Sequence, residues 1–308
     1  MQKITIQGHW LIVLAAMLWG TTGTAQAFAP DGAEPTTVGA LRLLIGGATL
    51  LFVARSQHAF QHSQGKWHPL ATVVAISAVA AYQICFFAGV DRAGVAIGTI
   101  VGIGSAPIMG GVLGYVIRGE KLDRIWMIAT ALAIIGCISL TLSGASTNES
   151  VDVLGIMLSL GAGLSYAIYT VATKTLLVSH APVAVMAVVF CAGAVLLLPL
   201  LFMNDVTWVT KPNGFIVALH LGVIATGLSY ILFGRGLRTV TTGTATTLSL
   251  SEPLTAGLLG VVILGESLTL IALIGIVLLF AGLGLLAFKP TQAIDNPKAM
   301  LSVDEAIG

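Results

Sequence analysis

Residues 242–264, TGTATTLSLSEPLTAGLLGVVIL, form an apolar run of membrane-spanning length with a carboxylate and a proline near its middle. Glu252 is the only carboxylate of this chain that lies deep inside such a run. Pro253 has no N–H group to continue the helical hydrogen bonds, so the helix should bend or loosen there. An acid beside a helix break at mid-bilayer depth is typical of a transport site. The alternative is that Glu252 is protonated and hydrogen-bonds a neighbouring helix.

The composition of the whole chain indicates a membrane protein. Of its 308 residues, 56% are hydrophobic and only 9% are charged, and the mean hydropathy is +0.98. A soluble domain carries about 25% charged residues, so this chain cannot cover a surface that faces water. The net charge of +1 gives no reason to expect a nucleic-acid partner. The three cysteines, Cys85, Cys137 and Cys191, are far apart within apolar runs and predict neither a metal site nor a disulfide framework.

Charged residues, glycine and proline clusters and polar turns divide the chain into ten predicted membrane-spanning helices of about 20 residues each. The first run, from His9 to Ala29, is longer than a signal-peptide core and has no clear cleavage site, so we interpret it as a retained helix. The polar tail after Lys289 is predicted to be disordered. The predicted spans are residues 10–29, 36–54, 69–90, 94–117, 125–143, 153–173, 182–202, 214–234, 242–264 and 268–288.

The longest connection between predicted spans contains His58, His62 and His68. A His-x-x-x-His pair can bind a metal ion, but no carboxylate or cysteine accompanies it here, which favours a solvated loop. The sequence also lacks a phosphate-binding Gly-x-x-x-x-Gly-Lys-Ser/Thr loop and a nucleophile elbow. We therefore expect no enzyme activity, no metal and no cofactor.

The distribution of lysine and arginine predicts that both termini are cytoplasmic. With the N-terminus inside, only Arg92 and Lys211 fall in outer loops, and Arg42 lies within the second span. The cationic residues that fall on the inner side are Lys3, Arg55, Lys66, Arg118, Lys121, Arg124, Lys174, Arg235, Arg238, Lys289 and Lys298.

The chain repeats itself with an offset of 146 positions, so that Pro107 aligns with Pro253 and Gly119–Glu120 with Gly265–Glu266. We expect a first repeat at residues 1–147, a second at 148–290 and a cytoplasmic tail at 291–308. Each repeat holds five predicted spans, and an odd number inserts the second copy upside down. Inverted repeats are typical of secondary transporters. The alternative is a duplication that serves packing alone.

These motifs, together with Leu18–Trp19–Gly20 in the first span and Leu41–Arg42 in the second, resemble the EamA repeat of the drug/metabolite transporter superfamily. The resemblance covers nearly the whole chain and extends to bacterial inner-membrane amino-acid exporters, including the aromatic amino-acid type. It implies a basket of helices around a central cavity, formed mainly by spans one, three, four, six, eight and nine. Spans five and ten are peripheral in that arrangement. The motifs identify a family rather than a substrate.

Aromatic and polar side chains share faces of several spans and are candidates for a substrate cavity. Trp19, Thr22 and Gln26, for example, lie on one face of the first span at i, i+3 and i+7. Rings with one polar tip suit a cavity that holds an apolar side chain and a polar head group, although they also form packing stripes. The candidate substrate-binding residues are Trp19, Thr22, Gln26, Tyr82, Gln83, Tyr166, Tyr169, Ser229, Tyr230 and Glu252.

Two charged positions, Arg42 and Glu252, and one stripe of small residues keep two interpretations each. Arg42 either binds a carboxylate or, as we favour, extends to the membrane interface. Glu252 faces either the cavity or a helix seam, because it aligns with Ala106 on a stripe of small residues that favours close packing and sliding. Glu120 and Glu266 follow glycines at helix ends and are predicted surface caps. The stripe consists of Gly94, Gly98, Gly102, Ala106, Gly110 and Gly114.

Together these features predict an all-α secondary transporter with ten transmembrane helices in two inverted five-helix repeats around a central cavity. It exports amino acids or similar metabolites across the bacterial inner membrane by alternating access. Its partners are the substrate, the lipid bilayer and, if Glu252 couples transport to an ion gradient, the proton; the chain is a monomer or a homodimer. The second interpretation is efflux of hydrophobic drugs. A membrane scaffold or an intramembrane enzyme is the third.

Overall fold

The structure is a computed structural model that describes residues 3–61, 65–142, 152–265 and 269–288. Within these ranges every regular element is helical. The predicted tail at 291–308, His62 of the histidine loop and Glu266 lie outside the described residues.

The helices follow the predicted spans closely. In chain order they are α1 (Lys3–Ala27), α2 (Pro35–Ser56), α3 (Pro69–Ala93), α4 (Val95–Arg118), α5 (Arg124–Leu142), α6 (Val153–Leu176), α7 (Pro182–Met203), α8 (Pro212–Leu219), α9 (Ser229–Leu237), α10 (Thr242–Leu248), α11 (Ser251–Leu264) and α12 (Leu270–Ala287). A 3₁₀ turn (Thr207–Thr210) precedes α8, and the segment His220–Leu228 between α8 and α9 is π-helical.

In the part of the chain that the structure describes, nine helical segments are long and apolar enough to cross a membrane. One of them comprises α8, the π-helical segment and α9, and another comprises α10 and α11. Helix α1 has the length but is not among the nine. Its second half carries Thr21, Thr22, Thr24 and Gln26, which lower its hydropathy. The tenth span therefore stays a prediction.

Local sequence signals explain where the helices begin and end. Proline occupies the first turn of α2, α3, α7 and α8, where its missing N–H leaves no helical bond unmade. Gly119 and Gly265 end α4 and α11 in the left-handed conformation, with φ of 63° and 74°. Glycine adopts this conformation without steric cost, which accounts for the repeated Gly–Glu motif. His68 caps α3 by accepting a hydrogen bond from the Ala71 N–H at 3.2 Å.

The span that contains Glu252 is interrupted, as the proline predicts. Helix α10 ends at Leu248, and α11 begins at Ser251. The Ser249 carbonyl cannot accept a hydrogen bond from Pro253, which has no N–H group; it accepts one from the Glu252 N–H at 2.9 Å instead. The interruption places Glu252 in the first turn of α11, where the helix dipole favours a negative charge.

The helices pack in a few dominant pairs. Helix α2 packs on α7 and α5 on α12, while α6 contacts both α3 and α4, and α1 contacts both α9 and α11. Large apolar side chains cover the outside: Phe202 is 85% exposed and Val262 is 79% exposed. A surface of this kind fits the hydrocarbon of a bilayer rather than water.

Candidate functional site

A cavity of about 910 Å³ lies among the helices and is the candidate site. It extends to the end of the bundle where α1 ends and α2 begins, because Gln26 and Pro35 line it. The exposed residues Pro35 and Thr269 mark the place where it reaches the surface. Its inner wall is formed by deep residues that include Thr246 and Tyr230. The volume is within the range of small-molecule sites.

Four aromatic rings from four helices meet at the inner wall. The ring of Trp19 lies 5.0 Å from that of Tyr230 and 6.3 Å from that of Tyr166, measured between centroids. Tyr82 lies 6.1 Å from Tyr166 and stacks on Phe86 at 5.6 Å. These spacings are those of favourable aromatic pairs. The wall therefore offers a rigid apolar surface that carries several polar atoms.

Most of the candidate residues come together around this cavity. Those that line it are Trp19, Thr22, Gln26, Tyr82, Gln83, Tyr166, Tyr230 and Glu252. They come from α1, α3, α6, α9 and α11, which are far apart along the chain.

Tyr169 and Ser229 lie one layer behind the wall. Tyr169 packs between α6 and α7, where its hydroxyl donates a hydrogen bond to the Met186 sulfur at 3.1 Å. Ser229 is fully buried and accepts a hydrogen bond from the Trp19 indole N–H at 2.9 Å. Ser229 thus holds a wall residue in place, and its own hydroxyl donates to the Ala225 carbonyl at 2.8 Å. Neither side chain contributes to the lining of the cavity.

Arg42 lies on the cavity wall, so the favoured interpretation of an interfacial side chain is wrong. It sits about two turns into α2, and α2 packs on α7 and on the π-helical segment. This packing turns the Arg42 side chain toward the cavity and away from lipid. Its Nε atom is buried and has no hydrogen-bond partner in the described part of the chain.

Glu252 lines the cavity and is partly accessible through it. Its backbone also forms a tight seam with α1, because a Cβ atom on Gly20 would lie 2.6 Å from the Glu252 carbonyl oxygen. Both alternatives from the sequence therefore hold: the backbone faces a seam and the side chain faces the cavity. Arg42 and Glu252 line the same cavity, yet their charged atoms form no ion pair in the residues described.

The other polar atoms of the wall are partly satisfied within the protein. The Tyr166 and Ser249 hydroxyl groups are hydrogen-bonded at 2.7 Å, which ties α6 to the interruption between α10 and α11. The Thr22 hydroxyl is buried without a partner among the described residues. A buried hydroxyl without a partner is unfavourable.

At the opposite end of α4, α6 and the α10–α11 span lies a group of residues that we call the charge cluster. It consists of the buried Glu120 and Lys174, the half-buried Arg118 and the buried Thr242. The Lys174 ammonium donates to Glu120 Oε1 at 2.7 Å, and the Arg118 Nε lies 3.5 Å from the same oxygen. The Thr242 N–H donates to Glu120 Oε2 at 2.6 Å. Lys174 also donates to the Val240 carbonyl.

The prediction that Glu120 is a surface cap is wrong, because the side chain is buried within this cluster. The sequence places it after a helix-ending glycine, which normally indicates a loop. Chain reversal at Gly119 instead folds the carboxylate back against α6 and α10. Gly114 makes room for it, since a Cβ there would lie 2.5 Å from Glu120 Oε2. The small-residue stripe thus serves close packing at this position.

The cavity and the charge cluster are joined by three spans. Helix α4 runs from Thr99 at the cavity to Arg118 at the cluster, and α6 contributes Tyr166 to one and Lys174 to the other. The α10–α11 span has Thr242 in the cluster and Glu252 in the cavity. These three spans therefore connect the cavity to the charge cluster.

The helices that line the cavity differ in part from the implied set. Helix α2 contributes Arg42, and the ends of α5 and α12 contribute Leu140, Thr141 and Ala272 at the rim. Helices α5 and α12 otherwise pack on each other. Of the three histidines in the long loop, His68 is a helix cap, and the described residues contain no group of three metal-binding side chains.

Comparison with known proteins agrees with this architecture. One solved crystal structure superimposes with a TM-score of 0.78 over 90% of this chain and 95% of its own, at 19% identity, which shows the fold alone. An uncharacterized transporter of Bacillus subtilis, YwfM, is 42% identical over 91% of this chain and 94% of its own length. A probable terminal-alkyne amino-acid exporter of Streptantibioticus cattleyicolor is 23% identical over 90% of this chain and 92% of its own.

These relatives and the helical bundle define a multi-pass membrane transporter. The model of the EamA-like transporter family matches residues 6–142 and again residues 153–288. The chain belongs to this family, within the drug/metabolite transporter superfamily, as the Gly–Glu and proline motifs predict.

Proposed function

We propose that the protein exports amino acids or similar small metabolites across the bacterial inner membrane by alternating access. The observation that carries this proposal is the cavity, which combines an aromatic wall with one cationic and one anionic side chain. Such a lining suits a small molecule that has an apolar part and charged ends. A relative described as a probable amino-acid exporter lends support.

We further propose that residues 1–147 and 148–290 are inverted repeats. The family model matches the chain twice, which supports two units. The helix contacts support a two-fold relation between them. Exchanging the two units turns the α3–α6 contact into the α1–α9 contact and the α4–α6 contact into the α1–α11 contact, while the α2–α7 and α5–α12 pairs map onto themselves. Inverted units of this kind can rock about a central site.

In this proposal the charge cluster is the gate on the cytoplasmic side. With both termini in the cytoplasm, the cavity opens outward and the cluster faces inward. Opening of the cavity toward the cytoplasm then requires Glu120 to separate from Lys174 or from Thr242, because these contacts connect α4, α6 and α10. Labelling of single cysteines by an impermeant reagent tests the sidedness: Asn213→Cys should react from outside and Arg238→Cys from inside.

We propose that Glu252 couples transport to a proton gradient. It is a carboxylate within the membrane span, accessible from the cavity, and such residues commonly relay protons. The test is amino-acid flux in proteoliposomes with and without a pH gradient, for the wild type, Glu252→Gln and the exposed control Glu34→Gln. The gradient should accelerate flux in the wild type and in Glu34→Gln only. Equal flux under all conditions would remove the proton from the mechanism.

The second candidate function is efflux of hydrophobic compounds, which the aromatic rings of the wall favour. It predicts that transport does not depend on charged ends of the substrate. Cells that overproduce the protein should gain resistance to toxic amino-acid analogues under the first proposal and to cationic dyes under the second.

The oligomeric state is tested by cross-linking in membranes, which distinguishes a monomer from a homodimer.

A further inference from the structure

We propose that Arg42 and Glu252 bind the two ends of a zwitterion, with the Arg42 guanidinium on the substrate carboxylate and the Glu252 carboxylate on its ammonium group. This inference rests on the proposed function and names the recognition chemistry of its site. The substrate class is then α-amino acids with a free amino and a free carboxyl group.

Both charges face the same cavity and lack partners among the described residues. Arg42 and Glu252 both line it. Neither side chain forms a hydrogen bond or an ion pair with any described residue, and the Arg42 Nε is buried. Isolated charges in a site of low polarity are unfavourable, and a fold that needed them only for stability would pair them.

The two charged groups do not pair with each other. Both line one cavity, yet they form no ion pair in the described structure. The cavity, of about 910 Å³, admits a small molecule that contacts both. The ammonium and carboxylate groups of an α-amino acid are attached to one carbon atom, so a single compact ligand can contact both charges.

The aromatic wall belongs to the same cavity as the two charges. Tyr82 and Tyr230 line it together with Arg42 and Glu252. Trp19 adjoins Tyr230 at 5.0 Å. A ligand held at both ionic ends would therefore direct its side chain against these rings, and many apolar side chains would be accepted.

The arrangement also excludes ligands with one charge. A cation without a carboxylate leaves Arg42 unpaired and is repelled by it, and an anion without an ammonium group is repelled by Glu252. Specificity of this kind comes from unfavourable contacts with the wrong ligand as much as from favourable contacts with the right one. Arginine suits the role because its planar fork can bind both carboxylate oxygens.

The test uses the full-length protein in proteoliposomes, loaded with radiolabelled L-phenylalanine, L-leucine or L-threonine. Unlabelled L-phenylalanine, L-phenylalaninamide and 3-phenylpropionate serve as competitors; the second lacks the carboxylate and the third lacks the ammonium group. The variants are Arg42→Gln, Arg42→Lys and Glu252→Gln. Arg55→Gln, an exposed arginine on the same helix, and Glu34→Gln are the matched controls.

In the wild type and both controls, L-phenylalanine should compete about tenfold or more better than either half-molecule, as expected for the loss of a hydrogen bond to a charged group. Arg42→Gln should abolish the preference for L-phenylalanine over L-phenylalaninamide. Glu252→Gln should abolish the preference for L-phenylalanine over 3-phenylpropionate. Arg42→Lys should retain part of the preference, because the charge remains without the fork.

Three results would overturn the inference. The first is equal competition by the three compounds in the wild type, which needs no variant to fold. The second is an unchanged preference in folded Arg42→Gln. The third is failure of the protein to transport any amino acid of the three, which overturns the proposed function itself; the first two leave that function standing.

Discussion

The charge cluster and the cavity place charged side chains in opposite situations. At the charge cluster, Glu120 accepts hydrogen bonds from the Lys174 ammonium and from the Thr242 backbone. At the cavity, Arg42 of α2 and Glu252 of α11 line the wall without an ion pair between them in the described structure. One site thus holds a paired set of charges and the other an unpaired set.

Comparison of the two sites indicates which charges stabilise the fold and which are free to bind a ligand. A buried ion pair is costly to break by removing one partner, because the other is left uncompensated. A charge that faces a cavity can be removed at little cost to stability, because no protein contact is lost. Stability and transport should therefore respond in opposite ways to substitutions at the two ends.

The largest effect is expected at the charge cluster. Glu120→Gln leaves the buried Lys174 ammonium without its carboxylate, and we expect a loss of about 3–5 kcal/mol of stability. Lys174→Met should have a comparable effect, because it leaves Glu120 uncompensated. Thermal unfolding of the protein in nanodiscs measures both.

The double variant Glu120→Gln/Lys174→Met is the control for this prediction. Removing both charges should cost less than either single change, since replacement of a whole buried pair is often nearly neutral. A double variant that loses the sum of the two single effects would show that the cluster stabilises by something other than the pairing of charges.

A smaller effect is expected at the seam between α1 and α11. In Gly20→Ala the new methyl group would meet the Glu252 carbonyl oxygen at 2.6 Å, and overpacking of this kind costs about 1–3 kcal/mol. Gly23→Ala is the matched control on the same helix, because a Cβ there meets nothing within 4 Å. The melting temperature should fall in the first variant only. A similar fall in both would indicate that helix propensity or membrane insertion, not the seam, is responsible.

Tyr166→Phe should reduce stability by about 1 kcal/mol, because it removes the hydrogen bond to Ser249 but keeps the ring. Ser249→Ala should give a similar value, and the double variant little more than either single one. Chemical or thermal unfolding in nanodiscs provides the three values. Additive losses would mean that the two hydroxyl groups do not stabilise the fold through each other.

The smallest effect on stability is expected for Glu252→Gln. The side chain has no hydrogen bond or ion pair within the described ranges, so the change should stay within about 0.5 kcal/mol, while the acceleration of amino-acid flux by a pH gradient is lost. The same unfolding measurement, made beside Glu120→Gln, checks it. A fall as large as that of Glu120→Gln would erase the distinction between the two ends.

Much of the helical arrangement can be predicted from the sequence, because apolar length and turn residues carry the signal. The predicted spans and the observed helices differ by a few residues at most of their ends. The interruption near Glu252 follows from the missing N–H of Pro253. The π-helical segment His220–Leu228 gives no comparable signal, since its residues fit an ordinary helix equally well.

The rotation of a helix about its axis is harder to predict than the depth of a residue along it. Arg42 has the depth of an interfacial side chain, and only the packing of α2 on α7 directs it to the cavity. Tyr166 and Tyr169 share a helical face, yet contacts with α7 place only the first at the cavity. The burial of Glu120 could not be predicted, because it follows from the chain reversal at Gly119, which depends on tertiary contacts.

The interruption near Ser249 divides one span into two helices, α10 and α11, that have different contacts. Helix α10 is anchored through Thr242 to the Glu120–Lys174 ion pair, whereas α11 carries the Glu252 carboxylate that faces the cavity. Between them the Leu250 and Glu252 N–H groups donate to carbonyls three residues earlier, at Thr247 and Ser249, instead of four, so the regular α-helical hydrogen bonding is interrupted there. A displacement of α10 can then change the angle between α10 and α11 without a translation of the whole span.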